Sequence, residues 1–252
     1  MTITNVDAGL WLRRFHPAAQ APVRLVCFPH AGGSASFYFP VSKALTPGLD
    51  VIALQYPGRQ DRRLEPVVED IGELARQVAG HLLPLADRPL AFFGHSMGAT
   101  VAFEVTRLLE REGVAPLALF ASGRRAPSAV REEAMHTATD DEFIAELERL
   151  SGTDARMLGD AEVVRMILPS LRGDYAAIET YRCEPGAQVG CPIDVFIGDA
   201  DPHVTPDEAA PWHSHTSGPC GVEVFSGGHF YLNDHAKAIT DRVAQRVAAL
   251  RA

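Results

Sequence analysis

The sequence predicts an α/β fold with a mostly parallel central sheet flanked by helices, and three observations lead there. Short runs of consecutive apolar residues alternate with helical patterns, and strands that are apolar on both faces belong in a parallel sheet covered on both sides. The pentapeptide Gly94-His95-Ser96-Met97-Gly98 stands between such a run and an amphipathic helix pattern. Strand, sharp turn and helix is the order that lifts a side chain above a sheet. From about residue 126 to residue 185 the strand patterns stop and only helical ones remain. That interval predicts a helical lid inserted between two sheet strands, within a single domain spanning residues 1–252.

The elements follow in order. Arg24-Leu25-Val26-Cys27-Phe28 is a strand closed by Pro29, and Asp50-Val51-Ile52-Ala53-Leu54 is a second, closed by Tyr56-Pro57-Gly58. A helix then carries Ile71, Leu74, Val78 and Leu82 on one face. The run Pro89-Leu90-Ala91-Phe92-Phe93 leads into the pentapeptide, and the helix behind it presents Ala102, Val105, Leu108 and Leu109 before a stop at Gly113. Leu117-Ala118-Leu119-Phe120 is the next strand. Within the insertion, Thr139-Asp140-Asp141-Glu142 is a helix start, followed by Phe143, Ile144, Leu147 and Leu150 on one face. A second pattern carries Val163, Val164, Ile167, Leu168, Leu171, Tyr175, Ile178 and Tyr181, with Pro169 and Gly173 as interruptions. The sheet resumes at residues 192–198 and ends with Val222-Glu223-Val224-Phe225. A closing helix bears Ile239, Val243, Val247 and Leu250.

Composition narrows the function. A hydrophobic content of 46% and a charged content of 22% suit a globular protein. A formal net charge of -9 argues against nucleic acid, whose phosphates need clustered Lys and Arg. The four cysteines, Cys27, Cys183, Cys191 and Cys220, have neither metal-site nor disulfide-framework spacing, and Cys27 reads as a buried small hydrophobe. With no secretory leader pattern after Met1 and no apolar run of membrane-spanning length, the expected setting is cytoplasmic, away from membranes. The expected state is a monomer, since no long apolar surface stripe stands out.

The chemistry concentrates at predicted carboxyl ends of strands, where open α/β sheets bind ligands. Ser96, in the G-x-S-x-G pattern, is the candidate nucleophile. A serine hydroxyl needs a base, and the base needs an orienting acid, in the chain order Ser, Asp or Glu, His. Gly198-Asp199-Ala200-Asp201 and Gly227-Gly228-His229 supply both after strands. The assignment is Ser96 as nucleophile, His229 as base and then acid, and Asp201 as the orienter, with Asp199 tying down the loop. His203, His213, His215 and His235 are expected at the surface, and no metal site is expected. The tetrahedral oxyanion requires backbone donors, here the N–H groups of Met97 and of Ala31 in Pro29-His30-Ala31-Gly32-Gly33. His30 and His95 are expected to hold loops by hydrogen bonds.

Together these residues resemble the type II thioesterases of polyketide and nonribosomal peptide biosynthesis, within the α/β-hydrolase fold. The likeness includes Phe28 to Gly33, Tyr56-Pro57-Gly58-Arg59, the Gly94–Gly98 elbow, Gly198 to Asp201, Gly227-Gly228-His229-Phe230 and the lid segment Leu171-Arg172-Gly173-Asp174-Tyr175. It implies hydrolysis of acyl groups from the phosphopantetheine thiol of acyl or peptidyl carrier proteins, with no cofactor of the enzyme's own. Phe143, Leu147, Met157, Met166, Leu171 and Tyr175 are candidates to line an acyl channel, with internal packing of the lid as the alternative. Arg59, Arg62 and Arg63 form either a solvated basic loop or a contact for an acidic carrier. Three rivals remain: an esterase or lipase-like hydrolase of oxygen esters or acyl-CoA, a release or cyclising domain of a megasynthase, and an inactive binding protein of the same fold. A chain running from Met1 to just past the closing helix speaks against the second.

Overall fold

The computed structural model describes residues 9–150 and 161–251. Seven strands among the described residues form one sheet in the order β1-β3-β2-β4-β5-β6-β7. They are β1 (Leu12–Arg13), β2 (Arg24–Phe28), β3 (Asp50–Leu54), β4 (Leu90–His95), β5 (Leu119–Ser122), β6 (Ile193–Gly198) and β7 (Cys220–Phe225). All neighbours pair in parallel except β1, which runs antiparallel to β3 through Leu12↔Leu54 and Arg13↔Ala53. The expected strand at residues 117–120 in fact begins at Leu119 and continues to Ser122.

Alternation along the strands divides the core in two. Val26, Phe28, Ile52, Leu54 and Phe92 face α2 (Ile71–Leu82) and α3 (Met97–Arg111). Leu25, Cys27, Val51, Ala53 and Phe93 face the other way, onto Ile239, Val243 and Val247 of the closing helix, with α1 (Phe39–Leu45) contributing Leu45. Every residue of β2, β3 and β4 is buried. Removing that apolar surface from water supplies the main driving force for folding. Cys27 lies fully inside, where burial pushes its thiol well above its ordinary range. Strand β7 is an edge, and its Val222 and Val224 are exposed.

Helix ends follow local chemistry. Asp70 accepts the Glu73 N–H at 2.7 Å and caps α2. Thr139 and Glu142 form a capping box that starts α4 (Asp140–Arg149), as their spacing predicts. The long helix α5 (Ala161–Thr180) runs through Pro169 and Gly173 without a break, although both were expected to interrupt it. Losing one backbone N–H removes one rung, while the apolar stripe around it still packs. Phe143, Leu147, Val164, Leu168 and Leu171 join α4 and α5 in a third, small core. Both helices lie between β5 and β6 in the chain.

Among the described residues, no helix is long and apolar enough to cross a membrane.

Candidate active site

Ser96 occupies a turn that only strained backbone can make. Its φ of 54° is in the left-handed region, between the end of β4 and the first residue of α3. The flanking glycines are steric necessities: a Cβ on Gly94 would lie 2.3 Å from Gly98 O, and one on Gly98 would lie 2.0 Å from Phe28 O. The Ser96 N–H donates to Ser122 O at 2.8 Å, anchoring the turn to β5. Its hydroxyl makes no capping bond to the helix, so it is available to a substrate.

Loops after β6 and β7 bring the acid and the base together. The Asp201 carboxylate accepts from His229 Nδ1 at 2.8 Å, with the Asp201 side chain fully buried and His229 only 4% exposed. The other Asp201 oxygen accepts the His203 N–H at 2.8 Å. Donating Nδ1–H to Asp201 leaves Nε2 as the acceptor nitrogen of a neutral imidazole. His229 and Ser96 line the same cavity. Asp199 is exposed, and its carboxylate accepts the Gly227 N–H at 2.8 Å, the loop-tying role expected of it.

Met97 is the first residue of α3, where backbone N–H groups lack intrahelical acceptors and carry the positive end of the helix dipole. The Ala31 N–H makes no backbone or side-chain bond among the described residues, whereas the next amide, Gly32 N–H, donates to Asp174 at 2.7 Å. Ala31, Ser96, Met97 and His229 share the wall of a second cavity.

Four imidazoles crowd the site. His95 Nδ1 bonds Ser122 Oγ at 3.0 Å, and Ser122 Oγ bonds Tyr231 OH at 2.7 Å, so His95 holds loops as expected. His30 does so differently. Its Nδ1 has no partner among the described residues, and its ring packs edge-on against Phe37 and Phe230, with centroids 4.7 and 5.0 Å away. Burial, reinforced by repulsion from His229, pushes His30 down to about 3 and His95 well below its ordinary value. Burial thus favours the neutral form of both imidazoles. His203 was expected at the surface. Instead its ring lies 4.9 Å from that of His229, and burial holds it down at about 4. His215 is also buried, bonded to Ser128 Oγ and Ala187 O, while His213 is exposed and His235 half-buried.

Two cavities meet at Ser96. One, of about 150 Å³, is apolar, with Leu147, Leu150, Ile167, Leu171, Tyr175 and Phe230 in its wall. The other, of about 200 Å³, is polar and carries Arg124, Arg131, Glu133, Glu146, Arg149 and Glu179. Three of the channel candidates, Leu147, Leu171 and Tyr175, thus face the site. Phe143 does not: it is 1% exposed and packs edge-on with Tyr175 inside the insertion. Met166 is 57% exposed and points away. Met157 lies outside the described residues. Leu150, Ile167, Phe230 and Arg124 were missed. Leu150 and Ile167 belong to apolar faces legible in sequence, and Phe230 adjoins His229. Nothing local marks Arg124, which burial pushes down to about 9.

Two of the three arginines of the basic loop are neither solvated nor free for an acidic partner. Arg59 is buried against Asp174, Nη2 to Oδ1 at 2.8 Å, and Arg62 is buried between Glu65 and the Trp11 ring. Arg63 alone of the three is exposed.

Comparison with known proteins bears on the family of the whole chain. The family model described as the thioesterase domain matches residues 23–247. A probable cadicidin biosynthesis thioesterase of Streptomyces griseus is 54% identical over 252 residues, covering 100% of this chain and 70% of that protein. Thioesterase PikA5 of Streptomyces venezuelae is 51% identical over 249 residues, covering 98% and 89%. The solved structure of the type II thioesterase BorB from the borrelidin biosynthetic cluster superposes with a TM-score of 0.86 at 48% identity, covering 95% of this chain and 97% of that one.

Proposed function

The chain belongs to the thioesterase family, and on that premise we propose that it is an editing enzyme for carrier-bound substrates. It clears aberrant or stalled acyl thioesters from phosphopantetheinyl carrier proteins of a polyketide synthase or nonribosomal peptide synthetase. The observation that carries the mechanism is the buried Asp201–His229 bond in the wall of the cavity that opens on Ser96.

In this reading Ser96 Oγ attacks the thioester carbonyl while His229 Nε2 takes its proton. Asp201 keeps the imidazole oriented and stabilises the imidazolium that forms. The N–H groups of Met97 and Ala31 receive the oxyanion. Collapse expels the thiolate, a good leaving group that takes the proton from His229 Nε2 as it departs and so returns the imidazole to its neutral form. Water, activated by His229, then hydrolyses the acyl-enzyme. Side chains and water complete this cycle, and no cofactor enters it.

The helical insertion acts as the lid. Its apolar cavity suits the acyl chain, and the polar one suits the amide-bearing pantetheine arm. A dry apolar cavity of about 150 Å³ is large enough for benzene. The apolar lobe, of about the same volume, therefore has room for a short acyl chain.

The test is intact-mass spectrometry of a propionyl-loaded carrier protein incubated with the enzyme and, in parallel, with Ser96→Ala. The expected result is loss of the acyl mass with the native protein alone. A carrier that stays loaded while simple oxygen esters or acyl-CoA are cleaved would overturn the carrier reading and favour a general acyl hydrolase.

A further inference from the structure

The loop that carries Ala31 is held from the insertion, not only from the sheet. Asp174 lies on α5, is 1% exposed, and commits both carboxylate oxygens to one neighbourhood. Oδ2 accepts the Gly32 N–H at 2.7 Å, and Oδ1 accepts Arg59 Nη2 at 2.8 Å. Arg59 in turn donates from Nη1 to Gly33 O at 3.3 Å. One ion pair thus grips the loop at two places, the peptide group before Gly32 and the one after Gly33.

Two further contacts close this arrangement. Gly32 has a φ of +71°, and a Cβ there would lie 2.3 Å from Leu171 Cδ2, one turn before Asp174 on the same helix. Gln55 bonds the Ala35 N–H at 2.8 Å and Arg59 O at 3.2 Å, tying the far end of the loop to the arginine. The loop is pinched between α5 and the segment after β3.

We propose that Asp174, paired with Arg59, is a positioning residue that fixes the Ala31 amide for the tetrahedral oxyanion by holding the adjoining Gly32 N–H. The insertion is then part of the catalytic apparatus as well as its cover, since withdrawing α5 loosens the oxyanion loop. This rests on the serine mechanism proposed above. Stability alone is a poor explanation of the pair. Burial works against the Asp174 carboxylate, and Arg59 and the Gly32 amide only partly oppose that effect. Buried ion pairs generally stabilise a fold no better than apolar side chains of similar volume. An oxyanion donor, by contrast, must be held within a few tenths of an ångström, and displacement by about 1 Å can cost about a hundredfold in rate.

The experiment compares wild type with Asp174→Asn and with the double variant Arg59→Met, Asp174→Leu, on a propionyl thioester. The double variant replaces the pair with apolar side chains, so it protects the fold while removing the acceptor for Gly32. Both are expected to lower kcat by about 10- to 100-fold, with KM within about twofold. Inhibition by a propyl trifluoromethyl ketone, whose adduct carries an oxyanion, should weaken in the same proportion. Binding of the uncharged thioether analogue should not change. A folded variant with normal kcat, or equal losses for thioether and ketone, overturns the proposal. Ser96→Ala separates the two levels: if it is inactive while Asp174→Asn is normal, the clamp fails and the serine mechanism stands. If Ser96→Ala still turns over, the underlying mechanism fails.

Discussion

The sheet and the helical insertion are built by different physics. In the sheet, β2, β3 and β4 are buried along their whole length; Ala31 and Ser96 follow β2 and β4, and the acid and base follow β6 and β7. The insertion has a core of a few residues around Phe143, Leu147 and Leu168. Polar ties from Asp174 to Arg59 and Gly32 fasten it to the body. A close-packed sheet holds Ser96, Asp201 and His229 in fixed relation. A small core on ion pairs yields a cover whose shape can vary without disturbing that relation. The difference teaches that the Ser96, Asp201 and His229 arrangement is set by the sheet, while the insertion shapes the substrate cavity and reaches the reaction through the Asp174 tie to the oxyanion loop.

The largest expected contrast lies at the acid loop. Asp201→Asn should lower kcat by about 10⁴-fold, because the amide cannot hold the productive His229 tautomer. Asp199→Asn should stay within a few-fold, since it touches only the Gly227 amide. Steady-state rates on one thioester decide this, and the reverse ranking would move the orienting role.

Stability should divide along the same line. Phe92→Ala, in the centre of β4, should cost about 3–5 kcal/mol in a denaturant titration. Phe143→Ala should instead raise hydrogen exchange in α4 and α5 while leaving the exchange of β2 and β4 unchanged. Equal loosening of both regions would show that the insertion is no separate unit.

A smaller effect concerns selectivity. Leu147→Ala enlarges the apolar cavity, so the ratio of kcat/KM for eight-carbon over three-carbon acyl thioesters should rise several-fold. No change would place the acyl chain elsewhere. The smallest effect is on acid stability. His30 and His203 titrate at about 3 and 4 when folded, against about 6.5 when unfolded. Between those values the unfolded chain binds more protons. Stability from these groups is therefore full above pH 6.5 and is lost as pH falls toward 4. The denaturation midpoint should drop over that window, and by less in His203→Asn.

What could be read in the sequence follows the same division. Continuous apolar strands and the Gly94–Gly98 turn are local patterns, so the sheet, Ser96, Asp201 and His229 were legible. Strand β1 has two residues and exists through pairing with β3, so no periodicity announces it. Helix α1 has seven residues and opens on Phe39-Pro40. Arg59 and Asp174 stand 115 positions apart, and nothing near either one signals a buried pair. The channel candidates divided for a related reason. Residue type marks Phe143, Leu147 and Met166 as apolar, but only the docking of α4 on α5 decides which is core, which is wall and which is surface.

The most direct test of the central claim, that the acyl group passes through Ser96, is rapid quenching of enzyme turning over a propionyl thioester, followed by peptide mass spectrometry. The account expects a propionyl adduct on the peptide containing Ser96, accumulating further in Asp201→Asn if deacylation is the slower step there, and absent from Ser96→Ala. Turnover with no adduct, or an adduct on any other residue, would contradict it.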